Sequence, residues 1–195
     1  MNSCYSRDEL LSLGFRGLGD DIRLSRKASV YGADKITIGS HVRIDDFCVL
    51  SAGKGGIVFG DYIHLAVYSS IIGAGAVTLE DFVNISARVG IYSSNDDYSG
   101  SAMTNPMVPS QYTNVQIADI LICRHSIIGC GSIILPGVTV GEGVAIGALS
   151  LVKHDCIAFG MYSGVPARRL RERKKDFCEL ESRFRSELNR QCQQG

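Results

Sequence analysis

From position 122 onward the chain counts in sixes: ICRHSI, IGCGSI, ILPGVT, VGEGVA, IGALSL and VKHDC follow one another without a gap. The first residue of each is aliphatic (Ile122, Ile128, Ile134, Val140, Ile146, Val152), and the fifth is small (Ser126, Ser132, Val138, Val144, Ser150, Cys156). An amphipathic helix repeats its apolar residues every 3.6 positions and a half-buried strand every 2, so a strict six belongs to neither. It fits a coil whose sides are each one short strand and one tight corner. The first residue points inward, the fifth fills the space that remains, and glycine at the second place relieves the corner. Three sides close a triangular prism with about 18 residues per coil. Stacked coils pair each backbone group with the coils above and below and bury a continuous aliphatic column.

The same phase runs upstream in triplets: Ile38, Ile44, Leu50; Phe59, Leu65, Ile71; Leu79, Ile85, Ile91. These triplets begin 21 and then 20 residues apart, so extra residues bulge at one corner, where GKGG (53–56) and GAGA (73–76) supply the freedom. The periodicity also accounts for 22 glycines in a chain without tryptophan, a composition that otherwise argues against order. The pattern predicts an all-β solenoid, with coils over 20–157 inside a single domain 1–195. Ser6 and Glu9 form a capping box ahead of Leu10, Leu11 and Leu13, which predicts a helix over 6–13. The hexads fail over 92–120, a polar stretch with two prolines and three tyrosines. A loop of that length in a compact repeat usually has a function, and its Tyr and Asn content suits binding. Leu170, Phe177, Leu180, Phe184 and Leu188 fall on one side of a helix expected over 167–192, placed to cap the open end of the prism.

Hexads of this kind resemble the left-handed parallel β-helix of the hexapeptide-repeat acyltransferases, and the handedness follows from that resemblance. Acyl transfer from a thioester to a hydroxyl needs a base, and histidine is the usual one near neutral pH. There are four histidines: His41, His64, His125 and His154. His41 and His125 are fourth residues of hexads and are expected to face solvent. His64 ends the hexad FGDYIH, at a corner close in height to the coil from which the long loop departs, and is the first choice.

The stretch IYSSNDDYSG, with MTNPMVP, YTNV, the run SIIGCGSIILPGVTVGEGVAIGALSLV and YSGVPARRLRER, resembles more narrowly the bacterial polysaccharide-biosynthesis acetyltransferases related to galactoside and maltose acetyltransferases. The resemblance spans about residues 36–173. It implies a homotrimer with active sites between subunits, acetyl-CoA along a groove between prisms, and substrate entering beside the loop. Galactoside-type enzymes carry their catalytic histidine within the loop, where this chain has Asn95, Asp96 and Asp97. The base is then His64, with Asp96 or Asp97 orienting an imidazolium or binding sugar hydroxyls. A lone Asp, with a pKa near 4, suits an amine better than a hydroxyl. Asn84, one coil above His64, together with Asn95 and Tyr98, is the expected substrate contact. The resemblance sets the Ala148 backbone on the pantetheine arm and Cys130 near the thioester. Lys153 and His154 fall near the pyrophosphate and adenine, with the lysine displaced by one position, and Arg168 and Arg171 near the 3′-phosphate. A thioester needs no metal for this reaction.

The expected reaction is acetyl-CoA-dependent acetylation of a sugar hydroxyl in surface polysaccharide (O-antigen or capsule) biosynthesis. The alternative is N-acetylation of a nucleotide-linked amino sugar. A zinc hydratase on the same prism needs two histidines about five apart, whereas these four are separated by 23, 61 and 29 residues. A purely structural or ice-binding β-helix would show threonine ladders and no long loop. With 20 basic and 20 acidic residues there is no net field to draw nucleic acid or an anionic membrane. No apolar run approaches the roughly 18 residues of a membrane span, and the N-terminus has no signal-peptide pattern. Seven cysteines cannot all pair, which with the absent leader predicts a reduced, cytoplasmic protein.

Overall fold

The computed structural model describes residues 3–192. The hexads wind into a left-handed parallel β-solenoid of about 7 turns. The first wall stacks Gly17–Leu18, Ile36–Ile38, Ile57–Phe59, Val77–Leu79, Ile120–Ile122 and Thr139–Val140. The second stacks Arg23–Leu24, Arg43–Ile44, His64–Leu65, Asn84–Ile85, Ile127–Ile128 and Ala145–Ile146, and ends in Gly160–Gly164 and Ala167–Glu172. The third stacks Ser29–Tyr31, Val49–Ala52, Ser70–Gly73, Gly90–Tyr92, Ile133–Ile134 and Leu151–Val152. All of this pairing is parallel except the last strand of the second wall, which turns back antiparallel on Gly160–Gly164.

The column read from the sequence forms the core. Ile122, Ile128, Ile134 and Val140 are 0% exposed, and the upstream triplets from Ile38 to Ile91 are buried with them. Truncating one such side chain to alanine costs about 2–5 kcal/mol, because a closed prism cannot collapse around the gap. The fifth positions are buried as well, and their serines stitch corners internally: Ser132 Oγ donates to the Gly147 carbonyl at 3.0 Å and Ser126 Oγ to that of Gly141 at 2.9 Å. Burial pushes the Cys48 and Cys156 thiols up to about 11.

The corners require left-handed backbone, and many of them use residues other than glycine. Between the first and second walls, His41, Tyr62, Phe82, His125 and Phe159 all have φ between 57° and 61°. A side chain there costs about 1–2 kcal/mol of backbone strain. Stacking offsets it, because successive coils lie one strand spacing apart, which suits parallel rings. His41 stacks on Tyr62 at 4.6 Å, Tyr62 on Phe82 at 5.0 Å and Phe82 on His125 at 4.9 Å.

Helix α1 (Arg7–Ser12) carries the expected capping box, with Ser6 accepting from the Glu9 amide. The C-terminal helix differs from its sequence reading in extent and in place. Residues 167–172 are strand, and α2 spans Asp176–Cys192. Leu170 is therefore a strand residue, 66% exposed. Nor does α2 sit over the end of the prism. It runs down the first corner, with Phe177 against His125 and Phe184 edge-on to Tyr62 and Phe82. The stacked rings offer a longer apolar strip than the narrow prism end, and the helix takes it.

Candidate functional site

The loop leaves the third corner after Tyr92 and returns before Ile120. Its base is a short antiparallel pair, Ser94–Asn95 with Gln116–Ile117, in the register Ser94 to Ile117 and Asn95 to Gln116. Beneath this base the third wall is apolar. Ile133, Leu135 and Leu151 floor a cleft of about 360 Å³, and Tyr92, Asn95, Asp96 and Tyr98 rise along its side. The Tyr92 ring lies back across Gly90, where a Cβ would come within 2.6 Å of it, so the glycine lets the ring lie flat beside the cleft.

The two adjacent aspartates divide their work. Asp97 is buried, and its carboxylate accepts from Ser99 Oγ at 2.7 Å, the Ser99 amide at 3.2 Å and the Ala102 amide at 3.0 Å. Those bonds, that from Ser99 Oγ foremost, hold it down at about 2. A carboxylate so engaged is a poor proton acceptor, and its bonds fasten the turn. Asp96 is exposed and lines the cleft.

His64 lies elsewhere. It is a strand residue of the second wall, not a corner residue, and Asn84 is its Cα partner one coil up. Its Nε2 meets Asp45 Oδ2 at 2.8 Å, and Arg43 Nε donates to Asp45 Oδ1 at 2.7 Å. Burial raises the Asp45 pKa, but the hydrogen bonds from His64 and Arg43 outweigh it and bring the group below its usual range. His64 and Asp45 thus have the geometry of an acid–base dyad. Within one chain, however, His64 stands on a different wall from Asp96, and the structure does not bring the two together.

Of the other histidines, His125 does not face solvent as expected. It is roofed by α2, with Nε2 2.6 Å from Glu181 Oε2, while Arg173 donates to its carbonyl at 2.9 Å. His41 stays at the surface, 3.2 Å from Asp21.

The residues assigned to the cofactor lie on the upper coils. Cys130 and Ala148 are exposed at the second corner in successive coils, where the Leu149 amide donates to the Cys130 carbonyl at 2.9 Å. Lys153 and His154 are exposed at the third corner. Arg168 and Arg171 are exposed on the final strand, paired with Ser163 and Met161. The sequence reading missed Asp45 and Arg43 beside His64, and Tyr92 and the apolar floor beside the loop. Arg43 shares the hexad phase of His64 and Asn84, and that phase was the available signal. Among the described residues no group of three or more His, Cys, Asp or Glu is placed to hold a metal, and no helix is long and apolar enough to cross a membrane.

No family model matches the chain. It is 58% identical over 177 residues to dTDP-4-amino-4,6-dideoxy-D-glucose acyltransferase of Escherichia coli, covering 91% of this chain and 92% of that protein. It is 27% identical over 142 residues to WbbJ of Escherichia coli K12, named for O-acetyl transfer in lipopolysaccharide biosynthesis, covering 72% of this chain and 70% of that one. Among solved structures, AntD, an N-acyltransferase from Bacillus cereus in complex with dTDP and 3-hydroxybutyryl-CoA, superposes with a TM-score of 0.93 at 43% identity, covering 97% of this chain and 100% of AntD.

Proposed function

The chain belongs to the hexapeptide-repeat acyltransferases, and from that premise we propose that it moves an acyl group from coenzyme A to the amine of a dTDP-linked 4-amino-4,6-dideoxy sugar. The amine, second in the sequence reading, takes precedence over the hydroxyl, because the relatives that cover nearly the whole chain are both named for amino-sugar or N-acyl transfer. One observation on this chain carries the same preference: an exposed carboxylate, Asp96, lines the cleft, and among the described residues no histidine does. A hydroxyl must lose its proton as it attacks and needs a base stronger than a carboxylate. A neutral amine attacks unaided, and the nitrogen sheds its proton only once it is cationic, a transfer that a carboxylate can accept.

In this reading the amine adds to the thioester carbonyl, the C–N bond forms, the C–S bond breaks and the thiolate departs. Asp96 accepts the proton from nitrogen and passes it to the leaving sulfur. Asn95 and Tyr98 orient the sugar, and Asp97 holds the turn. The pantetheine arm runs along the corner of Cys130 and Ala148, toward Lys153, His154, Arg168 and Arg171. The protein works as a homotrimer in the cytoplasm, and exposed apolar side chains on the third wall, Tyr31 at 60% and Ile72 at 36%, suit burial against another copy. His64, held through Nε2 by Asp45, then contacts the acceptor of a neighbouring copy and takes no proton from it.

The test is thiol release from acyl-CoA by the purified protein with dTDP-4-amino-4,6-dideoxyglucose and with its 4-hydroxy counterpart. Turnover with the amine at least a hundredfold above the hydroxyl is expected. The reverse order would restore sugar O-acetylation.

A further inference from the structure

The outer face of the second wall carries a polar column that the acyl-transfer step leaves unexplained. Arg23 pairs with Arg43, Arg43 with His64, and His64 with Asn84, as Cα partners in successive coils. Each is followed by a buried residue of the core column, Leu24, Ile44, Leu65 or Ile85, so the four side chains leave by the outer face. They repeat at strand spacing, about 4.8 Å. The next positions upward, Ile127 and Ala145, are apolar, and there the column stops.

Two details set these arginines apart from ordinary surface charges. Each is held through Nε by a carboxylate from a neighbouring corner: Arg23 by Asp21 at 3.4 Å, and Arg43 by Asp45 at 2.7 Å. Among the described residues their hydrogen bonds and ion pairs run through Nε alone, which leaves the terminal nitrogens of both forks for another acceptor. Stacking two guanidinium groups one coil apart also costs repulsion, which exposed ion pairs repay poorly. An opening of about 300 Å³ lies over Arg23, Arg43, Tyr62 and His64.

We propose that this column binds the diphosphate of the nucleotide-linked acceptor. The phosphates lie on the Arg23 and Arg43 forks, and the sugar passes His64 toward Asn84. Planar forks match phosphate oxygens two at a time. Three strand spacings, about 14 Å, leave room for two phosphates and one sugar ring. The chain's own loop leaves from the corner opposite this wall, so a sugar at Asn84 meets the loop and Asp96 of a second copy. This inference rests on the acceptor being a nucleoside diphosphate sugar.

Calorimetric titration of the full chain with dTDP, with inorganic pyrophosphate and with coenzyme A tests it without requiring turnover. Arg23→Gln and Arg43→Gln should each weaken dTDP and pyrophosphate binding about 10- to 100-fold, the range for a charge-assisted hydrogen bond, with coenzyme A affinity and melting temperature unchanged. Arg43→Lys should recover part of the loss. Wild-type binding of dTDP with both glutamine variants within twofold of it would overturn the column and leave the acceptor class standing. A wild-type protein that binds neither dTDP nor pyrophosphate would overturn both.

Discussion

Replacing Phe82 separates the two forces that meet at the first corner. Its ring is sandwiched between Tyr62 at 5.0 Å and His125 at 4.9 Å, both within 6° of parallel, and Phe184 of α2 stands edge-on at 6.2 Å. Aromatic pairs contribute about 0.5–1.5 kcal/mol each beyond area burial, so removing three should cost about 2–4 kcal/mol. The backbone at Phe82 has φ 61°, where any residue with a Cβ is strained and glycine is not. Phe82→Ala loses the stacks and keeps the strain, whereas Phe82→Gly loses the same stacks and sheds about 1–2 kcal/mol of strain. The glycine variant should therefore be the more stable of the two by about 1 kcal/mol, the reverse of the order in a regular strand or helix. Urea unfolding at one fixed protein concentration reads both differences, the fixed concentration removing any contribution from subunit association. Equal stability, or a less stable glycine variant, would refute the claim that stacking offsets left-handed strain.

The α2 latch should respond to acid. Burial raises the Glu181 pKa, but hydrogen bonds from His125 and Arg185 with the charge of Arg124 outweigh it and bring it to about 2 from an ordinary 4.5. Its contribution is therefore complete above about pH 4.5 and lost as pH falls toward 2. Protection factors of the α2 amides, taken against the intrinsic exchange rate at each pH, should fall over that window in the wild type and stay flat in Glu181→Gln; equal profiles would show that Glu181 does not hold α2. Asp97→Asn should loosen the loop turn, raising exchange at the Ser99 and Ala102 amides at least tenfold while the core amides keep their rates. Unchanged exchange would show that Asp97 does not hold it. Gly129→Ala places a Cβ 2.5 Å from the Ala148 nitrogen, backbone that cannot step aside. An overpacking cost of about 1–3 kcal/mol should appear as a lower melting temperature; an unchanged one would contradict the close coil stacking.

The coil core was legible because one physical rule governs it: every inward position faces the same narrow column, so Ile128, Ile134, Val140 and Ile146 repeat without exception. The bulging corner at 53–56 and 73–76 was legible for the same reason. The other corners were not, because a residue such as His125 or Phe82 reveals its left-handed backbone only through ring partners about 20 or more positions away. That blindness also moved α2. Its apolar side was visible in Phe177 and Phe184, but the aromatic strip it covers was not, and the basic run at 167–172 looked helical although it pairs as strand. In the site, Asp96 and Asp97 were identical in sequence terms, and only the four donors around Asp97 tell them apart. His64 was found as a lone histidine, while its partner Asp45 lies in the preceding coil and needed the coil register to be seen.

A crystal structure of the protein with coenzyme A and dTDP-4-amino-4,6-dideoxyglucose bound together would show whether the amine is acylated beside Asp96. The sugar nitrogen is expected within hydrogen-bond distance of an Asp96 carboxylate, facing the sulfur across the cleft floored by Ile133 and Leu151. A nitrogen turned to solvent, or a sulfur lodged away from that cleft, would contradict it.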